Sequence, residues 1–142
     1  MASDSSRIDE LRRRVNDDPA SLAFAQLAEE FRRAGALQEA VRVCRAGLAH
    51  HPSYVSARVT LARALFDLGQ DDEAQAEFEM VLRSAPDNLI ALRSMADLHQ
   101  RRYEGAEAAA EASEQRDVDP ALDELESWLT AVLDDRASRA NS

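Results

Sequence analysis

The chain has 142 residues, 45% of them apolar and 5% aromatic, with a net charge of -10. That length and apolar content suit one globular domain, and an alanine-rich, aromatic-poor balance favours close-packed helices over sheets. The acidity argues against nucleic acid and anionic membrane surfaces as partners, since both demand a basic footprint.

Residues 1–18 read as an N-terminal capping helix. Ile8, Leu11 and Val15 form its apolar stripe over residues 7–17, and Ser6 with Asp9 is the expected cap. The first six residues lack the apolar run of a leader, and no stretch reaches the roughly 18 apolar residues of a membrane span, so a cytoplasmic location is expected. Asp18-Pro19 is expected to close this helix and open the next, with Asp as cap and Pro at the first helical position.

From Pro19 the pattern becomes periodic. Pro19, Pro52, Pro86 and Pro120 recur at a near-constant interval of about 34 residues, a length that marks stacked helical units. Gly35 recurs as Gly69 on the same beat. Ala28 recurs as Ala62 and Ala96, Leu27 as Leu61 and Met95, and Ala40 as Ala74 and Ala108. Such units bury their apolar faces against their neighbours. The first unit, residues 19–51, places Leu22, Phe24, Leu27, Ala28 and Phe31 on one helix. A break at Ala34-Gly35-Ala36 follows, then Leu37, Ala40, Val41, Cys44 and Leu48 on a second helix. Gly47 interrupts that second helix, at a cost of about 1 kcal/mol relative to Ala, and a close helix contact is the expected compensation.

The second unit, residues 52–85, repeats the plan with Val55, Leu61, Ala62, Leu65 and Phe66, a turn at Leu68-Gly69-Gln70, and Ala74, Phe78, Val81 and Leu82. Asp71, Asp72 and Glu73 suit the positive end of its second helix. The third unit, residues 86–119, keeps a first helix with Leu89, Leu92, Met95, Ala96 and His99 but has Tyr103 where the turn glycine stood. Its second helix, Glu104 to Ala112, offers only alanines to a core, so a loosely packed or fraying helix is expected, with a disordered acidic linker as the alternative. Asp119-Pro120 is expected to start a last helix. Residues 120–142 read as a C-terminal capping helix and tail: Leu122, Leu125, Leu129, Val132 and Leu133 line one face, and Trp128 anchors it.

At these positions the chain resembles the tetratricopeptide repeat family, whose pattern runs from a large residue through Leu and a small residue to an aromatic, then Ala, an aromatic and Pro. The first unit supplies Phe24, Leu27-Ala28, Phe31, Ala40, Cys44 and Pro52. The second supplies Arg58, Leu61-Ala62, Leu65, Ala74, Phe78 and Pro86, and the third Leu92, Met95-Ala96, His99, Ala108, Ala112 and Pro120. The fold expected is an all-α, right-handed α-solenoid of helix-turn-helix repeats with capping helices at both ends. The resemblance implies that first helices line a concave groove where partners dock.

Positions left off the buried stripe give the candidate groove: Leu22, Glu29, Arg32 and Arg33, then Val59, Arg63 and Phe66, then Ile90, Arg93, Asp97 and Arg101. Arginines among apolar anchors, in an acidic chain, point to a protein or peptide partner with acidic and apolar side chains, because the guanidinium fork meets carboxylates two-pronged. The competing reading is that Glu29–Arg33, Arg63–Asp67, Arg93–Asp97 and Asp97–Arg101 are helix-surface pairs worth about 0.2–0.5 kcal/mol each. Chaperone-tail binding, which the resemblance ties to a Lys and Asn clamp, is not expected, because Ala25, Glu29 and Thr60 stand at the corresponding places.

Phosphate-cradling, nucleophile-elbow and zinc-peptidase motifs are missing from the sequence, so no enzyme activity and no cofactor are expected. His50-His51 and His99 lack the companions of a metal site, and Cys44, the single cysteine, falls on an apolar face as a small buried hydrophobe. The function expected is a non-enzymatic adaptor or scaffold that binds protein. The second reading is a self-associating homodimer in which the third unit and the Leu125-Leu129-Val132 stripe pair with another copy.

Overall fold

The computed structural model describes residues 2–141, with side chains described throughout except at residues 2–3 and 116–121. Among the described residues six helices follow one another: α1 (Ala2–Asp17), α2 (Ala23–Arg33), α3 (Leu37–His50), α4 (Val55–Asp67), α5 (Asp71–Ser84) and α6 (Leu89–Ala140). Those residues include no strand. Two compact units divide the chain, Met1–His99 and Gln100–Ser142.

The helices of the first unit are delimited by two kinds of turn. Between repeats, each proline sits second in a four-residue turn: Ser21 N donates to Asp18 O at 2.9 Å, Tyr54 N to His51 O at 3.2 Å, and Asn88 N to Ala85 O at 3.1 Å. Proline's fixed φ presets that position, so Pro19, Pro52 and Pro86 precede their helices rather than begin them, which for Pro19 corrects the expected placement at the first helical position. Side chains satisfy further backbone N–H groups around these turns. Asp18 Oδ1 accepts from Ala20 N at 3.1 Å, Ser21 Oγ from Ala23 N at 3.2 Å, and Asn88 Oδ1 from Ala91 N at 2.9 Å. The first helix also starts earlier than expected, which leaves Ser6 and Asp9 inside α1 rather than at its cap.

Within repeats the turn is glycine's. Gly35 and Gly69 take φ of 82° and 80°. Ala36 N reaches back to Phe31 O and Gln70 N to Leu65 O, both at 2.9 Å, which satisfies carbonyls that the helix end would orphan. At the third such position stands Tyr103, for which the left-handed conformation is costly, and the helix-favouring run Glu104–Ala112 follows. The chain does not turn there. The third repeat's expected helix pair is instead part of α6, and the expectation of fraying or disorder near residues 104–115 gives way to continuous helix. The helix start expected at Asp119-Pro120 also falls inside α6, where proline forgoes one backbone hydrogen bond without ending the helix.

The core of the first unit is built on alanines in register. Ala28, Ala40, Ala62 and Ala74 are each 0% exposed, which lets the paired helices α2 with α3 and α4 with α5 approach closely. Phe24, Phe31, Leu65 and Phe78 fill the core around them. In the second pair Arg58 stands where the first has Phe24, and its Nη1 donates to Glu77 Oε2 at 2.7 Å while Nη2 donates to Pro52 O at 2.7 Å. An ion pair and a carbonyl thus replace an aromatic ring. The N-terminal helix packs as expected: Leu11 is buried, Ile8 and Val15 are half-buried, and the Arg12 guanidinium lies 5.4 Å from the centre of the Phe31 ring.

The first turns of α6 differ from expectation. Ala91 and Leu98 are buried and Met95 packs against the core, whereas Leu89, Leu92, Ala96 and His99 are exposed. In the second unit Leu122, Leu125, Trp128, Leu129 and Leu133 are all exposed, so Trp128 anchors no core. Among the described residues no helix is long and apolar enough to cross a membrane.

Candidate functional site

Three first helices of the Met1–His99 unit converge on one hollow. Arg32 comes from α2, Arg63, Phe66 and Asp67 from α4, and Leu89, Ile90, Arg93, Ser94 and Asp97 from the start of α6. The hollow has a volume of about 450 Å³. The repeat places them together: Arg63 stands one repeat on from Glu29, and Asp97 one repeat on from Arg63, at equivalent positions of neighbouring first helices.

The charges divide into satisfied and unsatisfied. Glu29 is the hub of the satisfied group. Arg32 Nη2 donates to Glu29 Oε1 at 2.8 Å and Arg33 Nε to the same oxygen at 3.3 Å, while Thr60 Oγ1 reaches Glu29 Oε2 at 3.4 Å. Arg32 Nη1 also reaches Asp67 Oδ2 at 3.5 Å, so α2 and α4 are tied polar-to-polar beside the hollow. The hydrogen bond from Arg32 holds the Glu29 carboxyl below its ordinary range against the opposing effect of burial, and the nearby Arg63 and Arg33 add to this. The same bond, with Asp67 adding to it, raises the Arg32 guanidinium. Among the described residues neither Arg63 nor Arg93 forms an ion pair, although each has an acid four positions on. Asp67 is drawn to Arg32 instead.

A depressed carboxyl stabilises the fold fully above its unfolded pKa, 4.5, and less as pH falls through the lower folded value. Wild type is therefore expected to lose denaturant resistance as pH falls below 4.5 more steeply than Glu29→Gln, whose neutral amide has no proton to gain. Urea midpoints measured across that range check this. Parallel curves for the two proteins would show that Glu29 carries no such linkage.

The hollow gathers six of the residues expected from sequence: Arg32, Arg63, Phe66, Ile90, Arg93 and Asp97. Val59 is a correction, because it is 7% exposed and belongs to the core. Glu29 and Arg33 sit beside the hollow and satisfy each other, Leu22 lies exposed just before α2, and Arg101 belongs to the second unit. Asp67, Leu89 and Ser94 complete the lining. Leu89, expected on a buried stripe, is free to line it because the third repeat forms no such stripe. Asp67 pairs with a residue 35 positions away, which no local spacing reveals.

Elsewhere the chemistry is quiet. Cys44 is fully buried and its Sγ donates to Ala57 O at 3.5 Å. Burial, with the negative charges of Glu29 and Glu77, pushes its thiol up to about 12, far from a reactive thiolate. His51 stacks on Phe24 at 6.2 Å and contacts Ala20 O through Nε2. Among the described residues no three His, Cys, Asp or Glu side chains gather as a metal site.

Comparison with known proteins agrees with the fold. The family model described as tetratricopeptide repeat matches residues 31–98. The first TPR of Spaghetti (RPAP3), bound to the HSP90 peptide SRMEEVD, aligns with 72% of this chain and 82% of its own at 23% identity and a TM-score of 0.69. The first TPR domain of human RPAP3 covers the same shares at 23% identity and a TM-score of 0.68. The second TPR domain of human RPAP3, in complex with the HSP70 peptide SGPTIEEVD, aligns with 65% of this chain and 78% of its own at 27% identity and a TM-score of 0.62. No curated protein matches the chain.

Proposed function

We propose that this chain, which belongs to the tetratricopeptide repeat family, is a non-enzymatic adaptor that grips a peptide segment bearing acidic and apolar side chains in the hollow between α2, α4 and the start of α6. One observation carries the reading: Arg63 and Arg93 stand without ion-pair partners among the described residues, over a floor of Phe66, Leu89 and Ile90. Guanidiniums beside apolar surface favour a carboxylate next to a hydrophobic side chain, with the fork supplying two parallel hydrogen bonds. The peptides bound by the two similar RPAP3 domains, SRMEEVD and SGPTIEEVD, are of this acidic and apolar kind. Glu29, held ionised beside the hollow, sets a limit, because it repels a carboxylate that approaches from the α2 side. The site therefore selects acids that reach α4 and α6, which differs from a clamp on a chain end.

The test is direct. Fluorescent peptides that alternate Glu with Leu or Ile are titrated against wild type and against Arg63→Glu/Arg93→Glu, with a Lys-for-Glu peptide set as control. The double reversal is expected to weaken binding by roughly 100-fold, the scale for removing one side of a desolvated charge pair, with helicity unchanged. Equal binding by both proteins, or equal binding of Lys and Glu peptides, overturns the reading.

A further inference from the structure

Two acids line the hollow, and they are held differently. Asp67 is drawn across to Arg32, whose Nη1 reaches its Oδ2 at 3.5 Å. Asp97 lines the hollow from α6, is exposed, and forms no ion pair among the described residues. Arg93 stands one helical turn before Asp97 and leaves it unpaired. A cation placed N-terminal to an acid is the weaker order for such a pair, so little ties these two together. The repeat gives Asp97 a defined place. Glu29, Arg63 and Asp97 stand one repeat apart at equivalent positions of α2, α4 and α6, so the sign of the charge alternates from one first helix to the next. At the α2 end Glu29 is already answered by Arg32 and Arg33. At the α6 end no cation of the described residues answers Asp97 in the same way.

We propose that the hollow reads a charge pair rather than acid alone: the bound segment sets a carboxylate against Arg63 and Arg93 and a lysine or arginine against Asp97. This rests on the peptide-binding reading and sharpens it. The charges of the lining that lack ion pairs among the described residues are two guanidiniums and one carboxylate, and the complementary ligand carries the opposite pattern. A segment with acids only leaves Asp97 facing water or a like charge. A segment with a base close to its acid meets all three groups while its apolar residue rests on Phe66, Leu89 and Ile90. Helices packed side by side stand about 8–10 Å apart, a span that two to four residues of extended chain cover at about 3.3 Å each. The base therefore lies within a few residues of the acid. Asp97 is the residue that sets this preference, and Arg63 and Arg93 are those that hold the acid.

Peptide titrations with the full chain test the proposal. Fluorescent peptides carry one Glu, one Leu and one Lys, with the Lys two, three or four residues from the Glu on either side. Matched peptides have Gln or a second Glu in place of the Lys. They are titrated against wild type, Asp97→Asn and Asp97→Lys, whose far-UV circular dichroism is expected to be unchanged because the position is exposed. Wild type is expected to bind the best Lys peptide about 10-fold more tightly than its Gln counterpart, and less selectively at high salt. Asp97→Asn is expected to lose that preference, and Asp97→Lys to invert it in favour of the second Glu by about 10-fold. A wild type indifferent to Lys overturns the proposal. So does a preference that survives Asp97→Asn, which would come from the chain's net charge of -10 rather than from this carboxylate. The Arg63→Glu/Arg93→Glu protein separates the two readings. If it loses the peptides while the Asp97 variants change nothing, the acid-binding hollow stands and the charge-pair reading falls. If it binds them as wild type does, both fall.

Discussion

Phe78→Ala is expected to cost about 3–5 kcal/mol of stability. The ring is 0% exposed on α5, and among the largest fully buried side chains of the first unit only Phe24 matches its size. It occupies the position that Cys44 holds in the preceding helix pair, one repeat earlier. Truncation removes the transfer energy of the ring and leaves a cavity bounded by helices that cannot collapse into it, because Ala62 and Ala74 already hold α4 and α5 at close range. In a stack where each pair leans mainly on its neighbours, the damage spreads through lost interfaces. Urea unfolding followed by far-UV circular dichroism measures it, with Gln38→Ala as the exposed control, expected to change stability by less than about 1 kcal/mol. A Phe78→Ala midpoint close to that of the control would show that α4 and α5 are not packed around this ring.

The periodic alanines and turn glycines make the first two helix pairs legible in the sequence, because both act locally. A small side chain at a fixed interval has one geometric use, and Gly at a helix end adopts a conformation that few other residues tolerate. The prolines are legible in place but not in role. Sequence shows that Pro19, Pro52 and Pro86 separate helices, but whether proline opens a helix or shapes the turn before it depends on the hydrogen bond from Ser21, Tyr54 or Asn88 back across the turn. The third repeat misleads for a related reason. Leu89, Leu92, Ala96 and His99 keep the buried-face spacing, yet burial needs a partner helix, and Tyr103 in place of glycine removes the turn that would have delivered one. Val59 shows the converse: off the inward stripe that spacing assigns to its helix, it is nonetheless buried in the core, which a single-helix pattern does not reveal. Of the candidate groove, the residues that sequence spacing can place are those whose side chains no interhelical partner claims. Arg32 and Asp67, joined at a separation of 35 positions, require the fold.

Gly47→Ala is expected to destabilise the protein by about 2 kcal/mol, although Ala is the better helix former by about 1 kcal/mol. A Cβ at this point of α3 would run into the Phe24 ring of α2, meeting its Cγ, Cδ2 and Cε2 atoms. The ring has little room to retreat. His51 stacks on it with planes 5° apart and Tyr54 meets it edge-on at 5.8 Å between centres. The overlap must then be relieved by separating α2 from α3, which loosens the contact that Ala28 and Ala40 provide. The chain itself points to the remedy. In the second pair Val81 stands in place of Gly47, and Arg58, whose head is drawn aside to Glu77 and Pro52 O, stands in place of Phe24. A branched side chain is thus tolerated where the opposing ring is gone. Phe24→Leu should accordingly cost less in the Gly47→Ala background than in wild type, with a coupling energy of roughly 1–2 kcal/mol in a double-mutant cycle read from urea midpoints. Strict additivity would mean that the ring and the glycine do not share this space, and that the glycine serves some other need of α3.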